Sequence, residues 1–141
     1  MKKRVLFLCT ANSCRSQMAE GIINHFFRDK IAAFSAGTQV SYVHPTAIEV
    51  MKEIGIDISR HQSKNLTAFD GKSFDYVITL CGTANETCPL YIGGAKKKHI
   101  GFDDPAKTQG TKEEVLREFR RVRDEIKEKL TAFFQEEKII N

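Results

Sequence analysis

The sequence is poor in the features that mark unusual classes of protein. Its 141 residues include no Trp, only 3 Pro and 9 Gly, and no stretch near the roughly 20 apolar residues of a membrane span. We therefore expect neither a collagen-like nor a low-complexity nor a membrane protein. The net charge of +4 is too small to indicate nucleic acid as a partner. The length and the 41% hydrophobic content predict one globular domain over residues 1–141.

The start of the chain superficially mimics a signal peptide. Basic residues at 2–4 precede an apolar run at 5–8, but the run is short and no small-residue cleavage site follows it. We therefore expect a cytoplasmic protein, in which thiols are catalytic or redox-active rather than structural. The four cysteines are Cys9, Cys14, Cys81 and Cys88. Their spacing does not match a zinc site, so no metal is expected.

Short apolar runs alternate with amphipathic segments along the chain. The runs at 5–8, 32–34, 76–80 and, more weakly, 99–102 predict strands. Helical periodicity predicts helices from about residue 15, from Pro45 to Gly55, and after the capping-box pair Thr111 and Glu114. The pattern is typical of an α/β fold, with a doubly wound four-stranded parallel sheet of order 2-1-3-4 and helices on both faces. The basic run at 96–98 is interpreted as a solvated surface.

The segment 9–16, of the form C-x5-R-S, lies between the first predicted strand and helix. Its backbone N–H groups can converge on an oxyanion, and the helix N-terminus adds positive charge there. Arg15 can hold two oxygens of a tetrahedral anion, and Cys9 can act as a nucleophile with Ser16 donating to it. Asn12 tolerates the left-handed conformation that such a loop demands. The expected oxyanion-binding residues are Thr10, Ala11, Asn12, Ser13, Cys14, Arg15 and Ser16.

Two further residues follow neighbouring strands at the same edge of the predicted sheet. Cys81 directly follows the third strand, so the topology brings it to the crevice that holds Cys9. Asp104 follows the weak fourth strand, and Pro105 restrains its backbone, which suits a general acid. The alternatives remain open at this point: Asp104 can be an ordinary turn residue, and Cys9 a buried cysteine at a strand end.

Together these segments resemble the low-molecular-weight tyrosine phosphatase fold, and more closely its thioredoxin-coupled arsenate reductase branch. The matching segments are 9–21, 35–37, 51–53, 56–59, 77–81, 88–89, 101–105 and 121–126. They sample nearly the whole chain. The resemblance implies arsenate reduction in arsenic detoxification, with no bound cofactor and with thioredoxin as the reductant. We expect a monomer that binds arsenate and thioredoxin.

The resemblance also implies a mechanism. Cys9 attacks arsenate while Asp104 protonates the departing oxygen, Cys81 then attacks the Cys9 adduct, and Cys88 attacks Cys81 to leave a disulfide for thioredoxin. Cys14 receives no redox role. A phosphatase would need only Cys9, Arg15 and Asp104, so phosphomonoester hydrolysis is the alternative function. A non-enzymatic metalloid sensor is less favoured, because the sequence shows no DNA-binding element.

Members of this branch often hold a potassium ion near the loop, and this chain departs from their pattern. The matching ligands are Asn12, Glu20 and Ser35, but the position of a further aspartate is Lys64. An ammonium in a cation site is electrostatically unfavourable. We therefore predict that Lys64 pairs with Glu20 and replaces the ion.

Overall fold

The computed structural model describes residues 2–82 and 93–141, and its four strands form one parallel sheet. The strands are β1 (Lys3–Leu8), β2 (Ile31–Ala36), β3 (Tyr76–Thr79) and β4 (Lys96–His99). Their order is β2-β1-β3-β4, which confirms the predicted order 2-1-3-4. β1 and β3 are neighbours and end together, with Leu8 opposite Thr79. The residues after both strands therefore lie at one edge of the sheet.

Three α-helices pack against this sheet: α1 (Arg15–Phe26), α2 (Pro45–Lys52) and α3 (Lys112–Glu136). The predicted starts of all three are confirmed. Thr111 and Glu114 form the expected reciprocal capping box at the start of α3, and Pro45 occupies the first turn of α2. Two 3₁₀ helices lie at Leu66–Phe69 and Pro105–Lys107. Within the two described ranges, no helix combines the length and the apolar character needed to cross a bilayer.

The two faces of the sheet are covered differently. One face of the sheet packs against the apolar sides of α1, α2 and α3, and together they form the main core. Each large side chain that is fully buried there contributes about 1.5–3 kcal/mol to the free energy of folding. The other face packs Leu6, Leu8 and Val77 against Phe69 and Phe74. The three α-helices thus share one face, and among the described residues the helix on the opposite face is the 3₁₀ helix Leu66–Phe69.

The fourth strand lies three residues earlier than predicted, at Lys96–His99 instead of 99–102. All four of its side chains are exposed, because β4 is at the edge of the sheet. Such a strand needs no apolar residues, so the lysine run at 96–98 is solvated, as predicted, but it also forms a strand that the apolar pattern did not indicate. Backbone bonds continue beyond β4: Ile100 N–H donates to Thr79 O at 2.9 Å, and Phe102 N–H to Leu80 O at 3.1 Å. These bonds bring the segment that carries Asp104 to the same edge as Cys9.

Candidate active site

The loop between β1 and α1, residues 9–14, directs its carbonyl groups away from its own centre. Thr10 O accepts the backbone N–H groups of Thr38 and Gln39, each at 2.9 Å. Ser13 O accepts the backbone N–H of His44 at 3.1 Å. The segment between β2 and α2 therefore holds both ends of the loop from outside.

Side chains bind the two carbonyls in the middle of this loop. Ser63 Oγ donates to Ala11 O at 2.8 Å, and Gln17 Nε2 donates to Asn12 O at 3.2 Å. In a trans peptide the N–H group points opposite to the carbonyl. With four successive carbonyls bound outward, the N–H groups of residues 11–14 face the interior of the loop, which suits an anion.

Asn12 is the hub of the loop. Its φ of 49° confirms the predicted left-handed conformation, and its side chain is fully buried. Its Oδ1 accepts the backbone N–H of Lys64 at 2.8 Å and Gln17 Nε2 at 3.0 Å. Because Oδ1 is fixed by these two donors, Nδ2 is the atom that faces Ser16, and it donates to Ser16 Oγ at 2.8 Å.

Ser16 links this hub to the candidate nucleophile. Its Oγ lies 2.8 Å from Cys9 Sγ, and both side chains are buried. Either atom of this pair can be the donor, and when Cys9 is a thiolate the proton comes from Ser16 Oγ, which also accepts the hydrogen bond from Asn12. A donor at this distance stabilises negative charge on Sγ, as does the N-terminus of α1 beside it.

Arg15 and Asp104 meet on the opposite side of the loop. Arg15 is only 3% exposed; its Nη1 donates to Phe102 O at 3.2 Å, and its Nη2 lies 3.6 Å from Asp104 Oδ2. The other carboxylate oxygen of Asp104 accepts the N–H of Ala106 at 3.0 Å and caps the 3₁₀ helix that starts at Pro105. Asp104 is extended, as the following proline predicts.

These groups line a pocket of about 350 Å³, which is ample for a small tetrahedral oxyanion. Its lining residues are Cys9, Thr10, Ala11, Ser13, Cys14, Arg15, Gln39, Asp104, Ala106 and Lys107. Sequence reasoning missed Gln39 and Lys107 as lining residues. The position of Lys107, one turn after Asp104, was a usable signal for a second positive charge, whereas nothing in the sequence marked Gln39.

Cys14 is a second cysteine in the lining of the pocket. Its side chain is part of the main core, and burial raises its pKa to about 12. Cys14 is therefore a neutral thiol at physiological pH. Its Sγ donates weakly to Ser13 Oγ over 3.7 Å.

Cys81 lies two residues after β3, at the same sheet edge as Cys9. Leu80 N–H donates to Leu8 O at 2.8 Å, which places the residues after both strands side by side. The side chain of Cys81 is buried, at 4% exposure, and it is not among the described residues that line the pocket. Gly82 packs closely on the neighbouring segment, since a Cβ there would lie 2.1 Å from Phe102 O. Cys88 lies outside the described residues.

The predicted pairing of Lys64 with Glu20 is wrong. Lys64 Nζ donates instead to Gln62 O at 2.9 Å. Glu20 accepts Ser35 Oγ at 2.8 Å, and its other oxygen lies 3.3 Å from His61 Nδ1. The side-chain oxygens of Asn12, Glu20 and Ser35 are thus engaged with protein groups and do not form an open oxygen cage for a cation.

Gln17 is a structural residue that sequence reasoning did not single out. Besides Asn12, its Nε2 donates to Gln62 O at 2.9 Å, while its Oε1 lies 3.1 Å from His61 Nδ1. The signal was a polar residue within the first turn of a helix that is otherwise apolar on that side. Its fully buried side chain joins α1 to the segment around residue 62.

Comparison with known proteins agrees with this geometry. Residues 4–139 match the low molecular weight phosphotyrosine protein phosphatase family. The arsenate reductase of Shouchella clausii is 49% identical over 133 residues, covering 94% of this chain and 95% of that protein. A solved arsenate reductase in its phosphate-binding state superposes with a TM-score of 0.80 at 38% identity, covering 96% of this chain and 98% of its own.

A thioredoxin-dependent arsenate reductase of Corynebacterium glutamicum is a further structural neighbour. Its TM-score is 0.66 at 26% identity, and the match covers 93% of this chain and 61% of that one. The chain belongs to the low molecular weight phosphotyrosine protein phosphatase family, and its sequence groups it with the arsenate reductases of that family.

Proposed function

We propose that this chain reduces arsenate to arsenite in arsenic detoxification. The observation that carries the proposal is the meeting, at one sheet edge, of an anion-binding loop with a buried nucleophile, Cys9, and a second buried thiol, Cys81. Arsenate and phosphate have the same shape and charge, so the loop alone cannot choose between them. A second thiol distinguishes the functions, because thiols reduce As(V), whereas phosphate is inert to them.

In the first step Cys9 forms a bond to arsenic. The Sγ thiolate attacks arsenate held by the loop N–H groups and Arg15, and one As–O bond breaks. Asp104 gives its proton to the departing oxygen, which leaves as water. The position of Asp104 in the wall of the pocket that holds Cys9 supports this role.

In the second step arsenic is reduced. The Cys81 thiolate attacks Cys9 Sγ, so an S–S bond forms while the S–As bond breaks. The electron pair of that bond stays on arsenic, As(V) becomes As(III), and arsenite leaves. The shared sheet edge of Cys9 and Cys81 supports this step.

In the third step Cys88 attacks Cys81 Sγ, which frees the Cys9 thiolate and leaves a Cys81–Cys88 disulfide. Two electrons from an external dithiol then restore both thiols. We propose thioredoxin as that dithiol, supported by the thioredoxin dependence of the Corynebacterium glutamicum neighbour. No bound cofactor is needed, since the electrons pass between sulfurs.

Phosphomonoester hydrolysis is the second candidate function. The family name and the set of Cys9, Arg15 and Asp104 favour it, because these three groups suffice to form and release a phosphorylated cysteine. One observation argues against a dedicated phosphatase: Ala106 lines the pocket together with Asp104. Because its side chain is a single methyl group, it offers little contact to an aromatic substrate.

One assay separates the two functions. NADPH oxidation is followed with thioredoxin, thioredoxin reductase and arsenate, beside an aryl-phosphate control. We expect arsenate-dependent NADPH oxidation at a rate well above that of aryl-phosphate hydrolysis. Phosphatase activity without arsenate-dependent oxidation would contradict the proposal.

Trapping tests the order of the thiols. The reduced Cys88→Ser variant should form one arsenite per enzyme and accumulate a Cys9–Cys81 disulfide, identified by peptide mass spectrometry. The Cys81→Ser variant should form no arsenite. Free thiols at Cys9 and Cys81 after one turnover of Cys88→Ser would reject the relay.

A further inference from the structure

Arg121, near the middle of α3, binds three carboxylates at once. Two belong to its own helix: its Nε donates to Glu118 at 2.9 Å, and its Nη1 donates to Glu125. The third belongs to another part of the chain, since Nη2 donates to Asp103 Oδ2 at 2.9 Å. Asp103 is the residue before Asp104, so a side chain of α3 reaches the segment that carries the proposed acid.

The acid loop, residues 102–107, is otherwise fixed at its start and at its end. At its start Phe102 O accepts Nη1 of Arg15 at 3.2 Å. At its end Pro105 is buried and opens a 3₁₀ helix capped by Asp104. Arg121 acts between these points, through the side-chain carboxylate of Asp103, the residue before Asp104.

We propose that Arg121 is a positioning residue for the reaction: by holding Asp103 from α3, it keeps the carboxyl of Asp104 directed at the leaving oxygen in the pocket. This inference rests on the proposed function, because it requires Asp104 to be the acid. Glu118 and Glu125 hold the guanidinium in place from both sides along the helix, so little side-chain freedom is lost when it binds Asp103.

Arginine suits this role better than lysine. Its planar group offers several N–H donors in fixed directions, whereas an ammonium is a single point of charge. The hydrogen bonds that Arg121 donates to the three carboxylates raise its pKa further, with Glu118 contributing most. The guanidinium is therefore charged at physiological pH.

Arg120, its neighbour, provides a matched control. It is exposed to the same degree, and its Nε and Nη2 donate to Glu53 at 3.0 and 2.8 Å. This ion pair joins α3 to the residue after α2 and not to the acid loop. Arg120→Gln thus removes the same charge and a comparable ion pair from the same helix.

The experiment measures arsenite formed in a single turnover by the fully reduced enzyme. Arg121→Gln should lower the rate at saturating arsenate about 10-fold, since small misplacements of a reacting group are costly, and should change half-saturation by arsenate less than about twofold. Asp103→Asn should do the same from the other side of the contact, at an exposed position where folding is unaffected. Arg121→Lys should recover part of the loss, and Arg120→Gln should stay within about twofold of the wild type.

A double-mutant cycle with Asp104→Asn separates positioning from a general effect on the fold. If Arg121 acts through Asp104, adding Arg121→Gln to the Asp104→Asn variant should lower its rate of arsenite formation by less than about twofold. A 10-fold loss in that background, or an equal loss in Arg120→Gln, would overturn the inference while leaving arsenate reduction intact. A wild-type enzyme that forms no arsenite would instead overturn the proposed function, and this inference with it.

Discussion

The loop of residues 9–14, here called the anion loop, and the acid loop of residues 102–107 both contribute to one pocket. They are held in place by different kinds of contact. Neutral hydrogen bonds from α1 and from two other segments fix the four carbonyls of the anion loop, and its hub Asn12 is fully buried. The acid loop is held by the buried guanidinium group of Arg15 and by the more exposed one of Arg121. Neutral buried bonds are insensitive to salt, whereas exposed ion pairs are screened. The proposed anion site thus depends on buried neutral contacts, and the proposed acid depends in part on an exposed ion pair.

Arg15 directly follows the anion loop and its side chain contacts the acid loop. Its replacement is therefore expected to have the largest effect. Arg15→Lys keeps the charge but loses the fork that reaches Phe102 O and Asp104 together. We expect arsenite formation in a single turnover to fall by about 10²–10³-fold, as for loss of a key oxyanion donor. A loss smaller than about tenfold would show that a point charge suffices and that the two loops are not joined through this side chain.

Asn12 tests the anion loop alone. Asn12→Ala leaves Ser16 Oγ and the N–H of Lys64 without their partner and places Ala at a φ of 49°. We expect a loss of about 2–4 kcal/mol in the free energy of unfolding, measured by urea denaturation. Asn12→Gly loses the same partners but accepts this φ, so it should lose about 1 kcal/mol less. Equal losses of unfolding free energy in the two variants would show that backbone strain at residue 12 does not add to the cost of Asn12→Ala.

His44 tests the outer support of the anion loop, with the smallest expected effect. Its backbone holds Ser13 O, and its Nδ1 accepts the N–H of Thr46 at 3.1 Å, which caps α2. Burial lowers the pKa of His44 below 6.5, although Asp104 acts in the opposite direction. The unfolded chain therefore binds the proton more readily. The stabilisation by neutral His44 is complete above pH 6.5 and is lost as the pH falls towards the folded-state pKa.

His44→Asn keeps an acceptor at the helix cap that does not titrate. Between pH 7 and pH 5 the wild-type Tm should fall about 1–3 °C further than that of His44→Asn, as measured by calorimetry. Parallel Tm curves for the two proteins would mean that His44 does not contribute to the loss of stability in acid.

The sequence predicted well those parts of the protein in which one local pattern determines one structure. The strands β1, β2 and β3 follow from apolar runs, and the order of the strands follows from the handedness of crossovers. The anion loop follows from Cys9, Arg15 and their place between a strand and a helix, and Pro105 predicted the extended conformation of Asp104. In each case the signal lies within a few residues.

The contacts between distant segments could not be predicted in the same way. The partner of Glu20 is His61 and not Lys64, a choice that depends on how residues 61–64 run past α1. Arg121 is one of several charged residues on a long amphipathic helix, and only the fold shows that it meets Asp103. β4 was misplaced because an exposed edge strand carries no apolar signal.

The lysines of β4 have a consequence for how copies of the chain meet. Among residues 2–82 and 93–141 no strand pairs with the outer side of β4, and such an edge can accept an approaching strand. A second copy aligned along this border would bring its own Lys96, Lys97 and Lys98 against these three, and the mutual repulsion opposes the growth of a continuous sheet from one molecule to the next. The same short sequence that completes the fold thus protects the protein from aggregation.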